Sequence, residues 1–159
     1  MSTHTISVLV ENRHGALSRI AGLFSSRGYN ITSLNVAETE DRSVSRMTIV
    51  VSGDESILEQ VIKQLNRLID IVKVVDFAGD RTIDRELLLV RVDTSKSTRH
   101  EVIELADIFG AKIAGVSARS LTIELTNESR MIDDFIDLIK PYGIKELART
   151  GKIAMARIK

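Results

Sequence analysis

The sequence predicts an α+β protein made of two tandem ferredoxin-like βαββαβ domains. Two observations support this fold class. Segments with alternating β-branched residues are separated by segments whose apolar residues follow helical spacing. The order strand, helix, strand, strand, helix, strand then occurs twice within 159 residues, which is the split βαβ plan. We therefore place the domains at residues 1–79 and 80–159, joined by the polar stretch 79–81.

The first repeat has the clearer local signals. Its predicted strands cover residues 5–10, 31–38, 44–52 and 71–77. The first helix carries an apolar stripe of Leu17, Ile20, Ala21 and Phe24. Gly28 is a stop signal for that helix, and Asp54 is a cap for the second helix, whose stripe continues to Ile69.

The second repeat follows the same plan with little residue identity to the first. Its predicted strands cover residues 86–92, 112–116, 121–125 and 144–147, with 153–156 as a further candidate. Thr98 and Glu101 have the spacing of a capping box before one helix. Asn127 is placed to cap the other helix, which Pro141 ends.

Composition limits the function classes. Apolar residues make up 43% of the chain, and no run approaches the roughly 20 residues needed to cross a bilayer, so we expect a soluble protein without a membrane partner. The chain has 22 basic and 22 acidic residues. It therefore lacks the excess of positive charge that nucleic-acid binding requires. The absence of cysteine and of a leader-like N-terminus suits a cytoplasmic protein.

The sequence predicts neither catalytic residues nor a metal site. His4, His14 and His100 are scattered without metal-ligand spacing. The carboxylates at residues 38–41 are expected at the tip of a hairpin, and those at residues 133–134 on the solvent-exposed face of a helix. No phosphate-binding glycine motif occurs, and the predicted central strands carry no aromatic residues for stacking RNA bases.

The loop before the first helix is the one candidate binding site. The backbone N–H groups of Gly15, Ala16 and Leu17 would be free at a helix N-terminus and could hold a carboxylate. Asn12 before the helix and Asn30 after it could bind the polar groups of a small zwitterion such as an amino acid. The alternative is purely structural, with Asn12 as the helix cap, Gly15 in a turn and Asn30 as a left-handed helix end.

Both helices of such a unit lie on one face of its sheet, so the other face or an edge strand must meet water or a partner. In the first repeat this exposed layer is expected to hold polar and apolar residues together: Ser33, Asn35, Val44, Arg46, Thr48 and Val50. A domain of this size buries little core of its own. We therefore expect a homodimer.

Several motifs carry a family resemblance that covers almost the whole chain. The combination of GALSRIAGLF, RGYNI-x-SL and SRMTI, followed by RELLLV and later by ELARTGKIAMAR, resembles the regulatory (small) subunit of acetohydroxyacid synthase, also called acetolactate synthase. The resemblance implies that residues 1–79 form an ACT domain that binds an amino-acid effector and dimerises. It also implies that residues 80–159 contribute to docking on the catalytic subunit.

The resemblance further implies a chain that is not an enzyme by itself. Such subunits activate a catalytic (large) subunit that condenses two pyruvates, or pyruvate with 2-ketobutyrate, and they confer feedback inhibition, usually by valine. Thiamine diphosphate, magnesium and FAD would belong to that partner, and this chain would have no cofactor of its own. A stand-alone ACT-type sensor that regulates transcription or another metabolic enzyme is the alternative.

The family's effector site falls on two clusters, which the resemblance places at the interface of two ACT domains. These residues are Asn12, Gly15, Ala16 and Leu17 before the helix, and Asn30 and Ile31 after it. The clusters would be roughly 20 Å apart at 1.5 Å per residue, so one ligand could meet both only if a second domain supplies one of them. Relatives often have a proline and a larger aliphatic residue where this chain has His14 and Ala16. This difference leaves open which branched-chain amino acid is preferred.

Overall fold

The computed structural model describes residues 2–77 and 82–158. The chain divides into two compact units, one comprising residues 1–83 with 152–159 and the other residues 84–151. The predicted joint at 79–81, and with it the predicted boundary between residues 79 and 80, lies outside the described residues.

The first unit has the predicted βαββαβ order. Its elements are β1 (Ser2–Glu11), α1 (Ala16–Ser26), β2 (Asn30–Glu38), β3 (Val44–Gly53), α2 (Glu55–Leu65) and β4 (Ile71–Asp76). The strands form an antiparallel sheet in the order β2-β3-β1-β4. β2 and β4 are therefore the edge strands of this sheet.

The core of the first unit lies between the helices and one face of its sheet. It contains Ile6, Val8 and Val10 from β1, Ala16, Ile20 and Phe24 from α1, and Leu58, Val61 and Leu65 from α2. Two predictions about the helix stripes are wrong. Leu17 is 44% exposed and Ala16 takes its place in the core, because the buried face of α1 follows residues 16, 20 and 24. Ile69 is 81% exposed, because α2 ends at Leu65.

The predicted boundary signals of these helices are confirmed. Asp54 caps α2, with its carboxylate accepting a hydrogen bond from the Ser56 backbone N–H at 3.0 Å. Gly28 has φ +77 at the end of α1. The backbone N–H groups of Gly28 and Tyr29 return to the carbonyls of Ser25 and Phe24 at 3.2 and 3.0 Å, as in a Schellman motif.

The second unit repeats the plan. Its elements are β5 (Thr82–Asp93, which begins in the first unit), α3 (Arg99–Ile108), β6 (Lys112–Val116), β7 (Ser120–Asn127), α4 (Ser129–Ile139) and β8 (Ile144–Arg149). The strand order β6-β7-β5-β8 matches that of the first sheet. Pro141 lies in a short 3₁₀ turn after α4, as a helix stop should. The last strand, β9 (Ile153–Ala156), lies in the segment that belongs to the first unit.

Both capping predictions for the second unit are wrong. Thr98 makes no side-chain cap on α3. Its hydroxyl instead accepts a hydrogen bond from the Ser95 backbone N–H at 2.9 Å, while the Glu101 carboxylate accepts one from the Tyr142 hydroxyl at 2.8 Å. Glu128, rather than Asn127, occupies the N-cap position of α4. Nearby partners thus compete successfully with the helix ends for these side chains.

The layer of the first sheet opposite the helices is less exposed than the sequence predicts. Thr48 and Val50 are 3% and 8% exposed. Thr48 lies between Ser7 of β1 and Asn35 of β2, because β3 is a central strand with a neighbour on each side. Arg46 remains exposed, and its guanidinium donates to the Ser7 hydroxyl at 2.9 Å. None of the four helices in residues 2–77 and 82–158 has the length and apolar character needed to cross a membrane.

Candidate functional site

The loop between β1 and α1 has an unusual backbone at Gly15. This residue is the N-cap of α1, with φ +81 and ψ −1, and the helix has no side-chain cap. Left-handed dihedrals of this kind favour glycine because a Cβ is strained there. The helix therefore begins with an open N-terminus, where unpaired N–H groups and the positive end of the dipole are presented together.

Asn12 anchors the loop to the β2–β3 hairpin rather than capping the helix. Its backbone N–H donates to the Ser43 carbonyl at 2.7 Å. Its side-chain nitrogen donates to Glu38 Oε1 at 3.3 Å and to the Arg42 carbonyl at 3.2 Å. In this assignment the Asn12 side-chain oxygen remains available as an acceptor.

The hairpin that receives Asn12 is itself fixed by Asp41. The Asp41 carboxylate accepts hydrogen bonds from the Ser43 hydroxyl at 2.6 Å and the Ser43 backbone N–H at 2.9 Å. The hydrogen bond from the Ser43 hydroxyl, with the backbone bond adding to it, lowers the pKa of the Asp41 carboxyl below its ordinary value. The Asp41 turn thus positions the carbonyl groups of Ser43 and Arg42 that accept hydrogen bonds from Asn12.

The free N–H groups differ by one residue from the predicted set. Ala16 is engaged, because its N–H donates to the Arg13 carbonyl at 3.2 Å and its methyl group enters the core. Among residues 2–77 and 82–158, the N–H groups of Gly15, Leu17 and Ser18 have no protein acceptor. Sequence reasoning missed Ser18, although its place in the first turn of a helix was the available signal.

An ion pair between a buried carboxylate and half-exposed arginines lies beside this loop and was also missed. Asp70, between α2 and β4, is 2% exposed, and its Oδ2 accepts hydrogen bonds from Arg19 Nε at 3.0 Å and from Arg19 Nη2. The Arg13 Nε atom lies 3.9 Å from Asp70 Oδ1. Next to it, a surface cleft of about 390 Å³ is lined by Glu11, Asn12, Arg13, Ser43, Val44 and Val72.

The second predicted cluster lies at the far end of α1, where edge strand β2 begins. Asn30 is exposed, and within the described part of the chain its side-chain amide has no hydrogen-bond partner. Ile31 is half-buried, pairs with Val51 of β3 and lies next to a register shift. The Tyr29 ring, which is buried, packs so closely on Gly53 that a Cβ at residue 53 would lie 2.1 Å from it.

The structure thus brings Asn12, Gly15, Ala16 and Leu17 together and leaves Asn30 and Ile31 apart from them. The two clusters flank α1, which has 11 residues and is therefore about 16 Å long. The predicted site residues of the first unit therefore form two separate clusters, one with unpaired N–H groups and one with an exposed amide side chain. A single small ligand cannot span both within one copy of this unit.

A tandem βαββαβ fold with an open helix N-terminus after the first strand defines a protein with an ACT-type regulatory domain. The family model described as the acetolactate synthase (AHAS) small subunit-like ACT domain matches residues 6–73, and the model described as the small subunit of acetolactate synthase matches residues 85–158. The chain belongs to the family of acetolactate synthase small subunits.

Individual relatives agree with this assignment. The chain is 54% identical over 154 residues to the probable acetolactate synthase small subunit of Archaeoglobus fulgidus, covering 97% of this chain and 96% of that one. It is 46% identical over 155 residues to the acetolactate synthase small subunit of Mycolicibacterium smegmatis, covering 98% and 91%. The crystal structure of the acetolactate synthase small subunit from Thermotoga maritima superposes with a TM-score of 0.90 at 35% identity, covering 100% and 99%.

Proposed function

We propose that this chain is a non-catalytic regulatory subunit that activates the acetolactate synthase catalytic subunit and makes it sensitive to inhibition by valine. The observation that carries the proposal is the uncapped N-terminus of α1, with the N–H groups of Gly15, Leu17 and Ser18 exposed in a domain of the ACT type. Such a group of donors suits a carboxylate. The thiamine diphosphate, magnesium and FAD of the reaction belong to the catalytic partner in this proposal.

The polar contacts suit the two ends of an amino acid. The carboxylate is placed on the free N–H groups at the start of α1. The remaining side-chain oxygen of Asn12 can accept a hydrogen bond from the ammonium group, because its nitrogen is occupied by the hairpin. The aliphatic side chain would then contact the exposed Leu17 and the partner's copy of Ile31.

The edge strand β2 supports a homodimer in which two half-sites join. Within the described residues β2 pairs with β3 alone, so its outer edge has backbone groups open for pairing with a second copy. Asn30 begins this edge strand. A side-by-side pairing would bring residue 30 of one protomer towards the Gly15 loop of its partner, which makes dimerisation a condition for effector binding.

The division of labour between the two halves belongs to the same proposal. Residues 1–79 bind the effector and dimerise, whereas residues 80–159 dock on the catalytic subunit. Valine regulates only by binding one arrangement of the assembly better than another. A coupling free energy of about 1 to 3 kcal/mol corresponds to roughly 5- to 150-fold regulation.

Calorimetric titration with valine tests the site. We expect Asn30→Ala and Gly15→Asp to abolish valine binding and inhibition while leaving activation of the catalytic subunit unchanged. Gly15→Asp places a carboxylate where the ligand carboxylate binds and strains a backbone with φ +81. Gln60→Ala is the matched control, since it removes an exposed amide from α2 in the same unit. Unchanged valine binding in both site variants would disprove the site.

A subunit-mixing experiment tests whether the site is shared between protomers. A heterodimer of one Gly15→Asp chain and one Asn30→Ala chain should contain one site with both changes and one site with neither. Random exchange between equal amounts of the two inactive homodimers gives about one half heterodimers, each with one intact site. We therefore expect mixing to restore valine binding to about one quarter of the wild-type stoichiometry, or about one valine per heterodimer. No recovery on mixing, with heterodimers shown to form, would contradict a site that two protomers share.

A further inference from the structure

Asp70 is a buried carboxylate that the proposed site does not use directly. It lies in the connection between α2 and β4, distant in sequence from the β1–α1 loop. Its side chain is 3% exposed, whereas those of its partners Arg19 and Arg13 are 47% and 57% exposed. A carboxylate buried to this degree is stable only when it is paired and hydrogen-bonded.

The partners of Asp70 belong to three consecutive parts of the loop region. Its backbone carbonyl accepts a hydrogen bond from the N–H of Glu11, the last residue of β1, at 2.7 Å. Its carboxylate faces Arg13 within the loop and Arg19 in the second turn of α1. Asp70 therefore links the end of the strand, the loop and the helix.

Arg19 carries this connection to Gly15. Its Nη1 atom lies 3.0 Å from the position that a Cβ of residue 15 would occupy, so the guanidinium lies against the Gly15 backbone. Its Nη2 atom also donates to the His14 carbonyl at 3.5 Å. The two hydrogen bonds from Arg19 to one Asp70 oxygen fix the plane of this guanidinium.

We propose that Asp70 is a positioning residue of the effector site, which holds Arg19 against the Gly15 backbone and thereby fixes the direction of the free N–H groups of Gly15, Leu17 and Ser18. The inference rests on the proposed function, because it assigns these N–H groups to an effector carboxylate. A purely structural ion pair would stabilise the unit without changing the geometry of Gly15.

The test compares Asp70→Asn and Arg19→Lys with wild type. Asn keeps the shape of Asp70 without its charge, and Lys keeps the charge of Arg19 without its planar pair of donors. We expect valine affinity to fall by about ten- to a hundredfold in each, as for other losses of positioning. If Asp70 and Arg19 act through one contact, their effects should not add. The double variant should then bind valine about as well as whichever single variant binds it less tightly. Asp76→Asn, an exposed position on β4, is the matched control.

A readout that needs no ligand separates this inference from the proposed function. The two three-bond couplings between the Gly15 N–H and its α-protons report φ in the valine-free protein. We expect them to change in Asp70→Asn and Arg19→Lys but not in Asp76→Asn. Unchanged couplings, or valine affinity equal to that of wild type in both variants, would overturn the inference. If the wild-type chain does not bind valine but the couplings change in the two variants as expected, the proposed function is contradicted and the role of Asp70 in fixing the Gly15 backbone is not. Arg19→Lys, on a half-exposed side chain, provides the test if Asp70→Asn does not fold.

Discussion

At the scale of one residue, Tyr29 supports the start of edge strand β2, where the proposed site residue Asn30 lies. Its ring is buried against Gly53, while its hydroxyl has no hydrogen-bond partner among the residues that the structure describes. An unsatisfied buried hydroxyl lowers the free energy of unfolding by about 1 to 3 kcal/mol. The Tyr29 ring therefore stabilises the unit by packing, whereas its hydroxyl destabilises it. Packing of this ring on Gly53 holds the neighbouring Asn30 at the start of the edge strand.

We therefore expect Tyr29→Phe to leave stability unchanged or to raise the free energy of unfolding by up to about 1 kcal/mol. Burial, as the largest cause, raises the pKa of the Tyr29 phenol, and the carboxylates of Asp54 and Glu55 raise it further. The pKa of the Tyr29 phenol is thus higher in the folded chain than in the unfolded chain, whose pKa is near 10. The phenol therefore contributes to the free energy of unfolding below pH 10, and this contribution is lost as the pH rises above that pKa.

Denaturant unfolding of both proteins at neutral pH and between about pH 9.5 and 11 measures these effects. Tyr142 is present in both proteins, so the difference between them isolates Tyr29. We expect the free energy of unfolding to fall less steeply with pH in Tyr29→Phe. A loss of more than about 1 kcal/mol at neutral pH would show instead that the hydroxyl has a stabilising partner.

At the scale of secondary-structure elements, Glu86 and Arg149 join β5, β8 and α4 in the second unit. Glu86 is 5% exposed, and its two carboxylate oxygens accept hydrogen bonds from Arg149 Nε and Nη2 at 3.0 and 2.8 Å. Arg149 Nη2 also donates to Asp133 of α4 at 3.1 Å. The hydrogen bonds to Glu86, as the largest cause, raise the pKa of Arg149 above its ordinary value, so the guanidinium stays charged.

We expect Arg149→Met to lower the free energy of unfolding by roughly 2 to 3 kcal/mol, because it leaves the Glu86 carboxylate buried and unpaired. This is below the usual 3 to 5 kcal/mol for a buried pair, since Arg149 is about one-third exposed. The double variant Glu86→Gln with Arg149→Met should regain most of the loss. Denaturant unfolding of wild type and these two variants measures this, and equal losses in the single and double variants would contradict an unpaired charge as the cause.

The sequence predicts those elements whose signals are local. The first helix could be placed because Gly28 ends it and its apolar residues recur with helical spacing, and Asp54 could be identified as a cap because it precedes such a pattern. Thr98 and Asn127 have the same kind of signal, but their side chains bind other nearby groups. Local spacing cannot decide which of two nearby N–H donors a side-chain oxygen will bind.

Contacts between distant residues could not be predicted from one sequence. Asp70 has no pattern of its own, and its pairing with Arg19 joins residues 51 positions apart. The exposure of Ser18 at the start of α1 follows from the turn that Gly15 makes. Asn12 and Asn30 could be proposed as site residues from their places at the two ends of the helix and from the family resemblance. The hydrogen bonds of Asn12 to the β2–β3 hairpin could not be predicted in this way.

At the scale of the whole molecule, the proposal joins two features of the first unit. One is a helix N-terminus with free N–H groups, and the other is an edge strand that begins with Asn30. A second copy of the chain would bring the two half-sites together, so the effector would report on the assembly rather than on one protomer. In this proposal, valine would regulate the catalytic subunit by favouring one arrangement of the assembly over another.

Acetolactate formation by the cognate catalytic subunit, measured with and without this chain and with and without valine, tests this central claim most directly. We expect the chain to raise the rate of the catalytic subunit and valine to reverse that gain, with wild-type chain and Gln60→Ala behaving alike. Valine binding without any effect on the catalytic subunit would favour a stand-alone amino-acid sensor. A rate that neither the chain nor valine changes, with the two proteins shown to be folded, would contradict a regulatory role.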